Sequence, residues 1–348
     1  MNAVLRAVAR GERVSGPLDP ATLEAAVLEG LGGLLFHLAD APPRELRIRA
    51  ATIEARALHL GEELRRVLAA FDFPVLALKG GVMAQQLYGD STLRVFADLD
   101  LIVDERDADR GEAVLQSLGY RDGTPLTPAR RSTKRRFHSG SELVHETRGI
   151  VVDFHWRFGH PQFPLALPFA DAYARRAIVD GIPTLGLSDL AVFACSHAAK
   201  HFWFRLEMLA QIAALTRLAI DWEEVDAIAV ASRAARQVGL SFLLVEDSLG
   251  VVPPPLPRCL AAARPHFPAL RDRLSRAHDQ DPRGRDLFLL FDRKRDVVTA
   301  TAAAIFVPTP ADWATSQLPD ALQWIARPLR LVGRRLSHRW HDPSAPLI

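Results

Sequence analysis

The chain has 348 residues and a formal net charge of +2, with 43 basic side chains (Lys and Arg) against 41 acidic ones. Its 49% apolar and 24% charged residues are those of a folded globular chain, which excludes disordered and fibrous classes. Near-neutral charge also argues against long nucleic acid as a partner.

Two cysteines, Cys195 and Cys259, lie far apart and outside any CxxC pattern, as in a reducing compartment. The opening "MNAVLRAVARGERVSG" has no signal-peptide core, and no run of about 18 apolar residues occurs. The expectation is a cytoplasmic protein without a membrane span.

Leu23, Val27, Leu31, Leu34, Leu35 and Leu38 recur at helical steps. After "APP" (41–43), Ile48, Ile53, Leu60, Leu64 and Leu68 predict a second helix. The period then changes. "FPVLALKGG" reads as a strand ending in glycines, "VMAQQLYG" as a short helix closed by Gly89, and "VFADLDLIV" as a second strand. "ERDADRGEAVLQSLGY" predicts an acid-started helix with Val114, Leu115 and Leu118 on its apolar side. The basic run "RRSTKRR" (130–136) reads as a solvated loop. "SELVHET" and "GIVVDFHW" predict a hairpin turning at Arg148-Gly149.

Beyond about residue 188 the pattern is helical, and "WIARPLRLVGRRLSHRW" (324–340) predicts a helix with an arginine-rich outer face. The fold class is therefore α+β. A small mixed sheet at 73–187 is embedded between an N-terminal helical region, 1–72, and a C-terminal helical domain, 188–348.

Chance alone supplies D-x-D pairs, and three occur: 98/100, 107/109 and 279/281. Only Asp98 and Asp100 lie inside an apolar strand, where residues two apart share a face. Two converging carboxylates repel, and burial makes ionising them costly, whereas a hard divalent cation relieves both problems. Asp153, in "IVVDFHW", is a third acid inside an apolar strand and shares its face with Val151 and His155. Three such acids can hold two Mg²⁺ ions about 3.5–4 Å apart, clamping the attacking and leaving oxygens of a phosphoryl or nucleotidyl transfer. That geometry requires residues 98, 100 and 153 to lie within about 5 Å of one another at a cleft. Lys79-Gly80-Gly81 runs from a strand into a helix start, where backbone N–H groups face outward and glycine permits close approach of a phosphate.

The segments "LKGGVMAQQLYGDSTLRVFADLDLIV" (78–103), "VVDFHW" (151–156), "SHAAKHFWFRLEMLAQIAAL" (196–215) and "DWEEV" (221–225) resemble the bacterial uncharacterised nucleotidyltransferase family, nucleotidyltransferase type 5. That family lies within the DNA polymerase β-type nucleotidyltransferase superfamily. The likeness extends through most of the chain, including "RPLRL" near its end.

The resemblance implies a polymerase β-like core and transfer of an NMP from an NTP to a hydroxyl acceptor with release of pyrophosphate. It also implies Mg²⁺ (or Mn²⁺), as two ions, held by Asp98, Asp100 and Asp153, the last also serving as base. Gly80 and Gly81 match the turn facing the triphosphate, although many superfamily members place a serine there. Lys79 and Arg94 match phosphate partners, and Lys200 and His201 match a helix beside the nucleotide or acceptor. Related proteins often carry an acid where this chain has Gln211.

The acceptor is left open between a small molecule, a peptide or protein side chain and an RNA end. His197 and His201, four apart on a helix, have a spacing zinc sites also use, but no third ligand is evident. His155 reads as a packed strand histidine. Two alternatives remain: a degenerate nucleotidyltransferase fold that binds nucleotide or a partner without turnover, and a D-x-D nucleotide-sugar glycosyltransferase. The latter needs a βαβ unit upstream, where this sequence reads as helices.

Overall fold

The computed structural model describes residues 2–123, 126–276, 286–316 and 318–332. Among the described residues, seven strands form one mixed sheet in the order β3-β4-β5-β2-β1-β7-β6. They are β1 (Val75–Ala77), β2 (Asp98–Val103), β3 (Tyr120–Asp122), β4 (Gly140–His145), β5 (Val151–His155), β6 (Ala177–Val179) and β7 (Ile182–Thr184). Strand β2 is central, antiparallel to β1 and parallel to β5. Its register sets Asp100 directly opposite Asp153.

Strand alternation divides the interior in two. Leu99, Leu101 and Val103 join a cluster with Val152 and Phe154 that also takes Leu60, Leu64 and Val67 from the helix Arg44–Leu68. Ile102, Leu76 and Leu78 turn to the opposite face and join a larger cluster. That cluster unites the helices Ala3–Ala9 and Gly32–Leu38 with Leu187–Lys200, Leu206–Leu215 and Ala235–Leu249. Asp98 and Asp100 share the parity of Ile102, so the acids face the helical body rather than the inner layer. Among the described residues no helix is long and apolar enough to cross a membrane.

The long helix over 44–68, the helix Gly80–Tyr88 closed by a left-handed Gly89, and the β4–β5 hairpin match the sequence pattern. The basic run does not. Residues 130–136 lie in a helix, Pro128–Phe137, rather than a solvated loop. Thr127 caps it by accepting from Arg130 N, with Pro128 in the first turn, an ordinary helix start. Its charges are matched within the fold: Lys134 is buried against Asp122, and Arg135 pairs with Asp109 and Glu112 while lying over the Trp156 ring. Asp109 of the 107/109 pair is thus an ion-pair partner.

Strands β3, β6 and β7 add to the strands read from sequence. β6 and β7 turn at Asp180-Gly181, both with positive φ (51° and 79°), a primed turn that suits hairpin twist. Strand β2 begins only at Asp98, so 95–97 lie outside it. Residues 326–332 are helical, while 333–340 of the arginine-rich segment and the 279/281 pair fall outside the described residues.

Gly111 sits inside the helix Ala108–Ser117 because the buried Phe154 ring packs where its Cβ would stand. Gly111→Ala is expected to destabilise the protein by about 1–3 kcal/mol in denaturant unfolding, despite alanine's better helix propensity. Pairing it with Phe154→Leu should recover part of that loss.

Candidate active site

Strand β1 delivers the chain to Lys79, and Gly80 turns it into the helix Gly80–Tyr88 with φ +68°. A Cβ at Gly80 would lie 3.1 Å from the Phe96 ring, so both backbone angle and space call for glycine. No side chain caps this helix, which leaves its first amides directed at the cleft.

Lys79 Nζ lies 2.7 Å from Asp100 Oδ1, and Asp100 is only 5% exposed. His155 Nε2 is 3.1 Å from Asp153 Oδ2 and 3.5 Å from Asp100 Oδ1. One ligand atom from each of Asp100, Asp153 and His155 falls within 4.8 Å of the others. Two of the three expected acids therefore meet, and a histidine joins them. Asp98 stands on the same face of β2 but is not in that group.

The charges explain one another. Burial pushes the Asp100 carboxyl up, but Lys79 and His155 outweigh it and hold it down at about 2. Burial also opposes ionisation of Asp153, which is nevertheless held low, chiefly by His155. The same two acids overcome the burial of His155 and raise its imidazole to about 9. Asp98 goes the other way: burial and then the charge of Asp100 push it up, and Lys79 only partly offsets them. The cluster thus carries more negative charge than its own cations neutralise.

Two cavities open on this network. The first is lined by Lys79, Gly80, Gly81, Asp98 and Asp100 against the helix Arg44–Leu68 and the β6–β7 turn. The second is lined by Lys79, Asp153, His155, Arg157 and His160, with Lys200 and His197 from the helix Leu187–Lys200. Lys79 lines both.

Other expected residues are placed differently. Arg94 Nε sits 3.0 Å from Oε1 of the buried Glu207, which also accepts from Gln211 Nε2 at 2.7 Å. An acid at 211 would face Glu207; the amide donates to it instead. His201 follows the end of the helix Leu187–Lys200, edge-on to His197 at 4.8 Å, and lines neither cavity. Sequence reasoning undervalued His155, although its two-residue spacing from Asp153 on a strand was the available signal. Ser139, Arg157 and His160 carried no such signal.

In metal-free protein, folded His155 keeps its proton to about pH 9, whereas an unfolded imidazole releases it near 6.5. Its contribution to stability is full below the lower value and is lost as pH rises through the higher one. Denaturation midpoints in chelator should therefore fall across that window, and His155→Gln should flatten the fall.

No curated protein and no solved structure matches the chain. A family model described as uncharacterised nucleotidyltransferase matches residues 21–250, from the helix Pro20–Leu28 through Gly250, and so takes in the glycine turn, the acid cluster and both cavities. The chain belongs to this uncharacterised nucleotidyltransferase family.

Proposed function

We propose that the protein transfers an NMP from an NTP to a hydroxyl acceptor, with release of pyrophosphate, in a reaction that depends on Mg²⁺ or Mn²⁺. The observation that carries this reading is the pairing of Asp100 with Asp153 across β2 and β5, beside the Lys79-Gly80-Gly81 turn. We assign the reaction core to residues 73–187, with the helices after 188 closing one side.

The donor set fits a hard cation. Carboxylate oxygens converge, Asp98 is short of positive charge, and Lys79 with protonated His155 supplies charge that a divalent ion would otherwise bring. Asp98, Asp100 and Asp153 would hold it, and when bound it supplies positive charge at the α-phosphate and at the leaving pyrophosphate.

The chain's own residues do the rest. The amides opening the helix Gly80–Tyr88 receive phosphate oxygens, and Lys79 exchanges Asp100 for the triphosphate. Asp153 accepts the proton of the acceptor hydroxyl. The acceptor oxygen then bonds to the α-phosphorus, and the bond from that phosphorus to the bridging oxygen breaks, freeing pyrophosphate. His155, against both acids, orients the Asp153 carboxylate.

Asp98→Asn and Asp153→Asn are expected to lower pyrophosphate release from labelled NTP by about 1,000-fold or more, with the fold intact by circular dichroism. Nucleotide binding without any release in the unaltered protein would instead favour a binding module. Lys79→Met should weaken NTP binding by about tenfold or more in equilibrium titration, the worth of a charge-assisted hydrogen bond.

A further inference from the structure

We infer that the cavity at the Lys79-Gly80-Gly81 turn also seats the nucleobase, in the gap that Gly61 leaves on the helix Arg44–Leu68, and that Arg65 and Asp180 select guanine there. This inference deepens the nucleotidyl-transfer reading and rests on it.

The argument begins with a glycine that the fold does not need. Glycine inside a helix lowers its stability relative to alanine, so its presence calls for a reason. Packing supplies one at Gly111, where a Cβ would lie 2.3 Å from the Phe154 ring, and at Gly239, where it would lie 2.2 Å from the Cys259 carbonyl oxygen. At Gly61 it supplies none. Outside the helix's own backbone, a Cβ there would meet only Arg65 Nη1, at the ordinary distance of 3.9 Å, and the backbone angle is helical. Gly61 lines the same cavity as Gly80, so the room it leaves opens toward the place assigned to the triphosphate.

The surroundings of that gap suit a flat heteroaromatic ring. Leu58, Gly61 and Arg65 follow one another at helical steps of three and four, and all three line the cavity. Leu58 is a large apolar side chain left 55% exposed. Phe96, just ahead of β2, adds a ring to the same lining, and aromatic faces stack on any base.

Selection comes from two charged side chains in this lining. Arg65 is on the helix and Asp180 on the β6–β7 turn, and both are exposed. Neither forms an ion pair or a side-chain hydrogen bond among the described residues, with each other or with anything else. A guanidinium only donates and a carboxylate only accepts. Guanine alone among the four bases offers two adjacent acceptors, O6 and N7, together with two adjacent donors, N1–H and N2–H. Adenine would turn its amino group toward one cation that can only donate.

The test uses the full chain with Mg²⁺. The α,β-methylene analogues of GTP, ATP, CTP and UTP are titrated calorimetrically, with inorganic tripolyphosphate as the probe of the phosphate site alone. The GTP analogue should bind at least about tenfold more tightly than the ATP analogue, the worth of a forked arginine contact. Arg65→Met should abolish that preference and leave tripolyphosphate unaffected. Gly61→Leu should weaken all four analogues by about tenfold or more, again sparing tripolyphosphate. Gly61→Ala, the milder change, should raise the thermal unfolding midpoint and still weaken the GTP analogue severalfold. A stabilised Gly61→Ala variant with unaltered analogue affinity, or equal binding of the GTP and ATP analogues by the unaltered protein, would overturn the inference and leave the transfer reading standing. Failure of the unaltered protein to bind tripolyphosphate or any analogue would overturn both.

Discussion

The site is organised around the cost of holding the Asp100 carboxylate ionised in the middle of a β-sheet. A buried charge of this kind survives only with opposite charge against it. Here Lys79 meets it at 2.7 Å and His155 at 3.5 Å, and the same imidazole reaches Asp153. Removing either cation would leave uncompensated negative charge on strands that otherwise carry Leu, Val and Phe. The network is a balanced arrangement in which the protein's own cations hold the acids apart from one another's repulsion, and Asp98 is the acid they serve least well.

Backbone geometry makes that balance possible. Parallel pairing of β2 with β5 sets Asp100 against Asp153, while the apolar residues between them point into the inner layer. At the far wall, the helix Leu187–Lys200 ends in two consecutive left-handed residues, Phe202 and Trp203, with φ of 56° and 49°. Bulky residues adopt that conformation only when surrounding contacts impose it, at a cost of about 1–3 kcal/mol each. Both are buried, and Trp203 Nε1 donates to Ser241 at 2.9 Å, so packing offsets the strain and fixes the end of the helix that brings Lys200 to the second cavity.

The departures from sequence reading have specific causes. The basic run over 130–136 looked solvated because its partners, Asp109, Glu112, Asp122 and Asp320, lie elsewhere in the chain. Its helix start, Thr127-Pro128, was local and readable. The β6–β7 hairpin went unread, because its turn pair Asp180-Gly181 joins strands of only three residues each, too short for a periodic signal. Arg94 carried a charge suited to phosphate, but Glu207, more than a hundred residues later, takes it up as an ion pair.

The sequence by itself determined the alternation that puts three acids in apolar strands, the glycine turn ahead of a helix, and the helix–sheet–helix order. These are consequences of period and local backbone preference, carried by neighbouring residues. Tertiary structure alone decided that Asp100 pairs with Asp153 rather than all three acids closing equally, that His155 bridges them, and that Lys79 divides two cavities. Strand register and ion pairing join residues distant in the chain, and no local pattern fixes which of several possible partners a buried charge will meet.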